Sequence, residues 1–313
     1  MRYTTIYGPL TALNGMDLDI DRGESVAVIG ESGSGKSTLG LSIVKLLPGN
    51  ATYTGGRVVL DGKDVVKMSR REAVSMRGTE VFMIFQDPLN TLNPVKRVSV
   101  QMLEALQTRY AREGKSFDED EARGEAVERM KDVRLPDAAS MINRYPHELS
   151  GGQIQRVVIA MGLLLKPKLL IADEPTSALD VTVQAQVIKL MNELREERGM
   201  AVLFITHDIS VAYAVADRFV VMYAGEVSEL GPTQKVIQSP LHPYSQALIA
   251  SIPAKSRKEG RLDSIPGSPP NMLDPPAGCR FHPRCQYAMD VCRTTEPKVT
   301  EKDERKLRCW LYE

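Results

Sequence analysis

The sequence lacks a surplus of charge of either sign and lacks long apolar runs. Forty Lys and Arg residues balance forty Asp and Glu residues, so no global field is available to hold a polyanion, and no local basic patch stands out. The apolar run VVIAMGLLL before Lys166 is about half as long as a membrane-spanning helix. The N-terminus shows no charged-then-apolar signal pattern. We predict a soluble, cytoplasmic chain that does not bind nucleic acid.

Internal repeats are also missing, and cysteines are confined to the end of the chain. The 313 residues can form one large domain plus a smaller one, or two medium domains. Without a repeat, the functional unit occurs once. All four cysteines fall within residues 279–309, so their chemistry belongs to a C-terminal segment.

Short apolar runs rich in Val and Ile alternate with longer segments of helical patterning. The runs are GESVAVIG, TEVFMIFQD, PKLLIADEP, MAVLFITHD and RFVVMYAGEVSELG. Because strands and helices alternate, the pattern predicts an α/β fold with a mainly parallel sheet and helices on its faces.

Two segments depart from this alternation. Between about residues 95 and 150 strands are lacking, and helical spacing predicts an inserted helical subdomain. Its apolar positions are Ala122, Ala126, Val127, Met130 and Val133. After about residue 235, Pro and Gly become frequent, as in SIPGSPPNMLDPPAG, which predicts a linker and a small appendage. We predict a main domain over residues 1–235, with the helical subdomain at about 87–155, and an extension over 236–313.

The stretch GESGSGKST predicts a phosphate-binding loop. From Gly30 to Ser37 it fits G-x-x-x-x-G-K-[ST], follows the apolar run SVAVI and opens a helical pattern. Its glycines let backbone N–H groups converge on phosphate oxygens at a helix N-terminus. Lys36 should reach the β and γ phosphates, and the Ser37 hydroxyl should ligate Mg²⁺. The predicted contacts are Gly30, Ser32, Gly33, Ser34, Gly35, Lys36, Ser37 and Thr38.

Two carboxylates end the apolar run KLLIADEP. A phosphate-binding loop needs a partner carboxylate for its metal, and Asp173 is the candidate. Glu174 follows it, where a general base could polarise the attacking water. The pair therefore completes a predicted ATP-hydrolysing site that contains Mg²⁺.

The run ELSGGQIQR lies between these motifs and makes the chain resemble an ATP-binding cassette (ABC) ATPase. Its L-S-G-G-Q signature supplies Ser150, Gly151, Gly152 and Gln153. In this family two cassettes sandwich two nucleotides head to tail, with the signature of one facing the γ-phosphate of the other. One chain with one loop and one signature is therefore expected to be half of a dimer.

Other motifs are similar to those of the family at the expected places. Gln86 in FQDP resembles the Q-loop glutamine, which touches the Mg²⁺ region, and His207 in ITHD resembles the switch histidine of the γ-phosphate. SALD, ending at Asp180, resembles the D-loop. Tyr7 lies 29 residues before Lys36, where the family places a ring that stacks on adenine. The resemblance also implies an antiparallel β subdomain. Relatives have a further N-terminal strand there, so we expect either a truncated first strand or a misassigned start site.

The C-terminal sequence separates two functional hypotheses. A soluble ABC ATPase of DNA repair or ribosomes typically carries two cassettes, coiled-coil insertions or zinc modules, and none interrupts this sequence. SPLHPYSQALIASIP and IPGSPPNMLDPPAGCRFHPRC instead resemble the tail of oligopeptide/dipeptide importer ATPases. That resemblance implies a peripheral subunit at the cytoplasmic face of the membrane, with a paralogous second ATPase, two permease subunits and an extracytoplasmic binding protein. Peptides are the expected cargo, with nickel or oligosaccharides as alternatives.

The spacing of the cysteines does not identify the group that they bind. Five, six and sixteen residues separate successive cysteines, which fits neither a zinc ribbon nor the common ferredoxin runs. A reducing cytosol disfavours disulfides, while zinc and unligated thiols remain alternatives. The resemblance to peptide-importer ATPases implies a [4Fe–4S] cluster, which could hold together a tail with few apolar residues. Its predicted ligands are Cys279, Cys285, Cys292 and Cys309.

Overall fold

The computed structural model describes residues 1–87, 91–177, 179–251 and 265–313. Pro88 of the FQDP motif, Ala178 of the SALD motif and the first part of the predicted linker, residues 252–264, lie outside this range. Within the described part of the chain, the helices are too short or too polar to cross a bilayer.

Strands and helices alternate through most of the chain, as predicted. The strands are β1 (Arg2–Thr5), β2 (Gly8–Thr11), β3 (Ser25–Ile29), β4 (Ala51–Thr52), β5 (Val59–Leu60), β6 (Lys63–Asp64), β7 (Val81–Ile84), β8 (Leu169–Asp173), β9 (Ala201–Ile205), β10 (Arg218–Tyr223), β11 (Glu226–Pro232), β12 (Thr300–Lys302) and β13 (Arg305–Leu307). The helices are α1 (Lys36–Ile43), α2 (Arg70–Met76), α3 (Val98–Glu113), α4 (Glu119–Asp132), α5 (Ala138–Met141), α6 (Gly151–Leu165), α7 (Val181–Arg198), α8 (Ile209–Val215), α9 (Thr233–Gln238), α10 (Pro243–Ala250) and α11 (Asp290–Thr294). Short 3₁₀ turns span Val65–Lys67, Pro146–Glu148, His282–Arg284 and Trp310–Tyr312.

The chain divides into two compact units. Unit 1 comprises Met1–Ile20, Ser25–Val58 and Phe204–Glu313. Unit 2 comprises Asp21–Glu24 and Val59–Leu203. The predicted division at residues 235 and 236 stays a prediction.

The larger sheet of unit 1 is built around the buried strand β3. All five residues of β3 are buried, and β3 pairs in parallel with β10. The remaining pairs are antiparallel and give the order β12-β13-β11-β10-β3 within the unit. A separate three-stranded antiparallel sheet has the order β2-β1-β4. It corresponds to the antiparallel β subdomain that the family resemblance implies.

The run RFVVMYAGEVSELG differs from its interpretation as one strand of a parallel sheet. It folds into the antiparallel hairpin β10–β11, joined by Ala224 and Gly225. Both turn residues have positive φ, 48° and 84°, as the tight turns that match strand twist require. The hairpin carries the sheet onward to β13, so the C-terminal residues complete the sheet of unit 1.

Unit 2 contains the predicted helical subdomain and a pair of parallel strands. β7 and β8 pair in parallel, and α6 lies close to them, because a Cβ added at Gly162 would come within 2.8 Å of the Phe82 ring. Four of the predicted apolar positions, Ala122, Ala126, Met130 and Val133, are fully buried, whereas Val127 is half-buried.

A buried ion pair joins the helices of unit 2. The side chain of Arg109 on α3 is 2% exposed and lies 2.5 Å from Glu125 on α4. The same guanidinium donates to the carbonyl oxygen of Leu164 on α6 at 2.9 Å. The hydrogen bonds from Arg109 hold the pKa of Glu125 below its usual value. One side chain thus ties α3 to both neighbours.

Candidate functional site

The phosphate-binding loop connects β3 to α1 in unit 1, where the sequence predicts it. Gly30 has φ 151°, and any Cβ there would clash with the carbonyl oxygen of Met222. Gly35 caps α1 with φ 100°, and a Cβ there would lie 2.7 Å from the Ala12 carbonyl oxygen. Glycine is required at both positions by conformation and by space. The loop is therefore held tightly against its own unit.

Lys36 lies inside the loop. Its side chain is buried, and Nζ donates to the carbonyl oxygens of Gly30 at 2.8 Å and Glu31 at 2.9 Å. The lysine thus braces the loop while its charge stays where phosphates are predicted to bind. Of the other predicted contacts, Ser34 is buried, Thr38 is half-buried, and Ser32, Gly33 and Ser37 are exposed.

The two aromatic candidates for adenine stacking differ in their surroundings. The Tyr3 hydroxyl lies 3.3 Å from the hydroxyl of Thr38, so Tyr3 packs against α1. Tyr7 is 80% exposed at the turn between β1 and β2. An exposed ring can receive a base on its face. Tyr7 accordingly remains the predicted adenine contact.

His207 is the second residue after β9 and is exposed. The next residue, Asp208, caps α8 by accepting from the backbone N–H of Ser210 at 2.9 Å. The backbone on the C-terminal side of His207 is thereby fixed, while its ring reaches solvent. This placement suits the predicted γ-phosphate contact, which stays a prediction.

The carboxylate pair lies at the end of β8 in unit 2. Asp173 is buried at the last strand position. Glu174 follows with φ 48°, a conformation uncommon for a residue with a Cβ and typical of functional sites. The amide of Gln86 donates to Glu174 Oε2 at 3.0 Å. The structure thus brings together the predicted general base and the predicted Q-loop glutamine.

The signature run begins helix α6. Ser150 caps the helix through a reciprocal pair: its hydroxyl accepts from the Gln153 backbone N–H at 3.3 Å, and the Gln153 side chain accepts from the Ser150 N–H at 2.9 Å. Gly151 and Gly152 form the first turn. The serine hydroxyl keeps its proton for donation, and the helix N-terminus is a favourable place for an anion.

Two side chains near these motifs have roles that the sequence pattern did not specify. Gln155 is fully buried, and its amide donates to the backbone oxygen of Glu174 at 3.3 Å. A polar residue on an otherwise apolar helix face was the available signal. Asp180 caps α7 by accepting from the Val183 N–H at 3.0 Å. Gln155 links the signature helix to the backbone of Glu174, the predicted general base.

The side chains predicted to bind Mg²⁺ in each unit are oxygen donors. Ser37 offers an exposed hydroxyl on the first turn of α1, and Asp173 offers a carboxylate at the end of a buried strand. Such oxygen donors are those that Mg²⁺ prefers, together with phosphate oxygens. The bound ion would neutralise phosphate charge.

The four cysteines line one pocket of unit 1. All are free thiols, and burial raises the pKa of Cys279 to about 12 and that of Cys309 to about 11. Thiols with such pKa values stay protonated unless a cation compensates the thiolate charge. Nevertheless, no three His, Cys, Asp or Glu side chains in the described ranges are arranged as a metal-binding group. The predicted cluster therefore stays a prediction.

The fold and the motif order define the ABC class of P-loop ATPases. Residues 13–177 match the family described as ABC transporter, and residues 228–292 match the family described as oligopeptide/dipeptide transporter, C-terminal region. The chain belongs to the ABC ATPase family and, within it, to the ATP-binding subunits of oligopeptide and dipeptide transporters. It is accordingly an ATP-hydrolysing enzyme.

Relatives support this membership over nearly the whole chain. The oligopeptide transport ATP-binding protein OppD of Haemophilus influenzae is 43% identical over 99% of this chain and 94% of its own. The dipeptide transport ATP-binding protein DppD of Bacillus subtilis is 41% identical over 99% of this chain and 92% of its own. A dimeric post-hydrolysis structure of the cassette MJ0796 with ADP and phosphate is 31% identical, with a TM-score of 0.67 over 74% of this chain and 95% of that one.

Proposed function

We propose that this chain is the ATP-hydrolysing subunit of a membrane importer of di- or oligopeptides. The observation that carries the proposal is the match of residues 228–292 to the C-terminal region of oligopeptide/dipeptide transporters, because this region lies outside the segment shared by ABC ATPases in general. The named relatives are an oligopeptide transport and a dipeptide transport ATP-binding protein. Nickel or oligosaccharide import by the same machinery is the second candidate.

The proposed mechanism gives each predicted site residue one role. In unit 1, the P-loop and Lys36 bind the phosphates, Tyr7 stacks on adenine and His207 contacts the γ-phosphate. In unit 2, Glu174 accepts a proton from the attacking water. Gln86 is hydrogen-bonded to Glu174 and precedes the helical subdomain in the chain. It therefore couples the state of the general base to that subdomain. Hydrolysis removes the γ-phosphate and with it the contacts that favour the ATP-bound state.

The proposed assembly is a dimer of ATPase subunits at the cytoplasmic face of the membrane. The chain has one P-loop and one signature, and the related cassette MJ0796 is dimeric. The signature residues Ser150 and Gly152 would face the γ-phosphate held by the partner subunit, with Asp180 beside them. We propose a paralogue as the partner, two permease subunits and an extracytoplasmic binding protein that supplies the peptide.

Deleting the gene should abolish uptake of labelled di- and oligopeptides. Wild-type protein should restore uptake, whereas Glu174→Gln should not. Glu128→Gln is the matched control, because Glu128 is 66% exposed on α4 and pairs with Lys131, and it should restore uptake fully. Loss of nickel or oligosaccharide uptake with normal peptide uptake would reassign the cargo. Normal uptake of all three would contradict the importer proposal.

We also propose that the cysteine pocket holds a [4Fe–4S] cluster. The four thiols are the usual protein ligands of such a cluster, and all four line the same pocket. Anaerobically purified protein should be brown and contain about four irons per chain. Cys309→Ser should lower the iron content, whereas Ser251→Ala, outside the pocket, should not. Colourless protein with one zinc per chain would show that the cysteines bind zinc and not an iron–sulfur cluster.

A further inference from the structure

The second residue of the phosphate-binding loop is paired with the C-terminal segment. Both carboxylate oxygens of Glu31 accept from Arg284: Nη1 lies 2.6 Å from Oε2, and Nη2 lies 3.0 Å from Oε1. This is the two-pronged geometry in which arginine binds carboxylates most strongly. The Arg284 side chain is 4% exposed and that of Glu31 is 25% exposed. The pair is therefore largely shielded from water.

The guanidinium of Arg284 is itself fixed in place. Nε donates to the carbonyl oxygen of Pro266 at 2.8 Å, and Nη1 also lies 3.3 Å from the hydroxyl of Tyr223. A guanidinium held on several sides cannot follow Glu31 if the loop moves. Its position therefore constrains the carboxylate.

Glu31 is also held through its backbone. Its N–H donates to the hydroxyl of Tyr244 on α10 at 2.9 Å, and its carbonyl oxygen accepts from Lys36 Nζ at 2.9 Å. Three different side chains thus bind one loop residue at its N–H, its carbonyl and its carboxylate. Two of the three, Arg284 and Tyr244, lie in the segment that matches the oligopeptide/dipeptide C-terminal region.

A second arginine supports the loop from the hairpin. Arg280 lies 3.0 Å from Glu226 and donates to the carbonyl oxygen of Ala224. The intervening Gly225 N–H donates to the carbonyl oxygen of Ser34 in the loop at 2.9 Å. Arg280 and Arg284 therefore brace the loop through two separate routes, at residues 34 and 31.

We propose that Arg284 is a positioning residue of the ATP site, which holds the Glu31 carboxylate in place and neutralises its charge. Glu31 lies beside Lys36, because its carbonyl oxygen accepts from Lys36 Nζ. An unpaired Glu31 carboxylate would therefore oppose the binding of a polyanionic triphosphate. Fold stability alone is a weak account of this pair, since burying an ion pair costs about as much solvation as the attraction returns. The C-terminal segment thus builds part of the ATP site.

The test compares ATP affinities by titration with a fluorescent ATP analogue. Arg284→Ala should weaken binding by roughly tenfold to a hundredfold, the usual effect of losing charge-assisted hydrogen bonds beside a charge. The double variant Glu31→Gln/Arg284→Ala should recover most of the affinity, because it removes the unpaired carboxylate. Arg284→Lys should lie between wild type and Arg284→Ala, and the exposed Arg293→Ala should bind as wild type.

Thermal melting of each variant separates positioning from folding. If the double variant binds as weakly as Arg284→Ala, or if Arg284→Ala binds ATP as wild type, the proposal is overturned. The inference rests on ATP binding at the P-loop, so Lys36→Ala is measured in parallel. Normal binding by Lys36→Ala would contradict the role of the P-loop itself, whereas normal binding by Arg284→Ala alone would contradict only the positioning role.

Discussion

Glu174→Gln should retain ATP binding and lose hydrolysis by about 10²-fold or more, the range for removing a general base. Glutamine has the same shape as glutamate, and its carbonyl oxygen can still accept from the Gln86 amide that now donates to Oε2. The backbone link from Gln155 to the carbonyl of residue 174 is unaffected. Only the ability to accept a proton disappears, so the geometry of the site survives the change.

The rate of phosphate release from complexes that contain the chain measures the loss of hydrolysis in Glu174→Gln. Nucleotide titration measures its ATP binding. Glu128→Gln again provides the control, because it removes a carboxylate from an exposed surface of the same unit. Unchanged turnover in Glu174→Gln would show that another group activates water. Loss of binding together with turnover would show that Glu174 acts on the loop or the nucleotide.

Lys36→Ala should weaken ATP binding itself, by about 10²-fold for the loss of charged hydrogen bonds to phosphate. The variant loses a buried ammonium that also bonds the carbonyls of Gly30 and Glu31. The loop therefore loses both its cation and an internal brace. In contrast to Glu174→Gln, Lys36→Ala should raise the dissociation constant for ATP, and this effect should be measurable without hydrolysis.

Equilibrium titration with ATP and with ADP checks this expectation. Lys189→Ala is a suitable control, since Lys189 lies on α7 with a 79% exposed side chain. A wild-type dissociation constant in Lys36→Ala, with slow hydrolysis only, would place the lysine in the transition state and not in ground-state binding.

The ATP motifs could be predicted because each is defined locally. The glycines at 30 and 35 have no room for a side chain, the loop must follow a buried strand, and Lys36 must enter the helix that follows. These requirements act within a dozen residues and leave a readable pattern. The same holds for the signature, where Ser150 and Gln153 cap one helix between themselves.

Contacts between distant segments could not be predicted in this way. Gln155 contacts Glu174 across 19 positions, and the sequence indicates it only by a polar residue on an otherwise apolar helix face. The β10–β11 hairpin was not predicted, because its two strands form one apolar run in the sequence with a single Gly at the turn. Arg284 ends a short 3₁₀ turn in a segment rich in Pro and Cys, where neither periodicity nor spacing indicates a partner in the phosphate-binding loop. Pairing of this kind depends on tertiary structure alone.

The Glu31–Arg284 pair joins residues 253 positions apart, and this separation bears on how the protein is made. At ordinary rates of translation, the ribosome needs roughly 10–50 s to synthesise the interval. All of Val59–Leu203, most of unit 2, is synthesised between the P-loop and its C-terminal supports. The loop that comes first in the chain is thus among the last parts to gain its final contacts. A chain that ends before residue 284 would contain every ATP motif and still lack one anchor of its phosphate site.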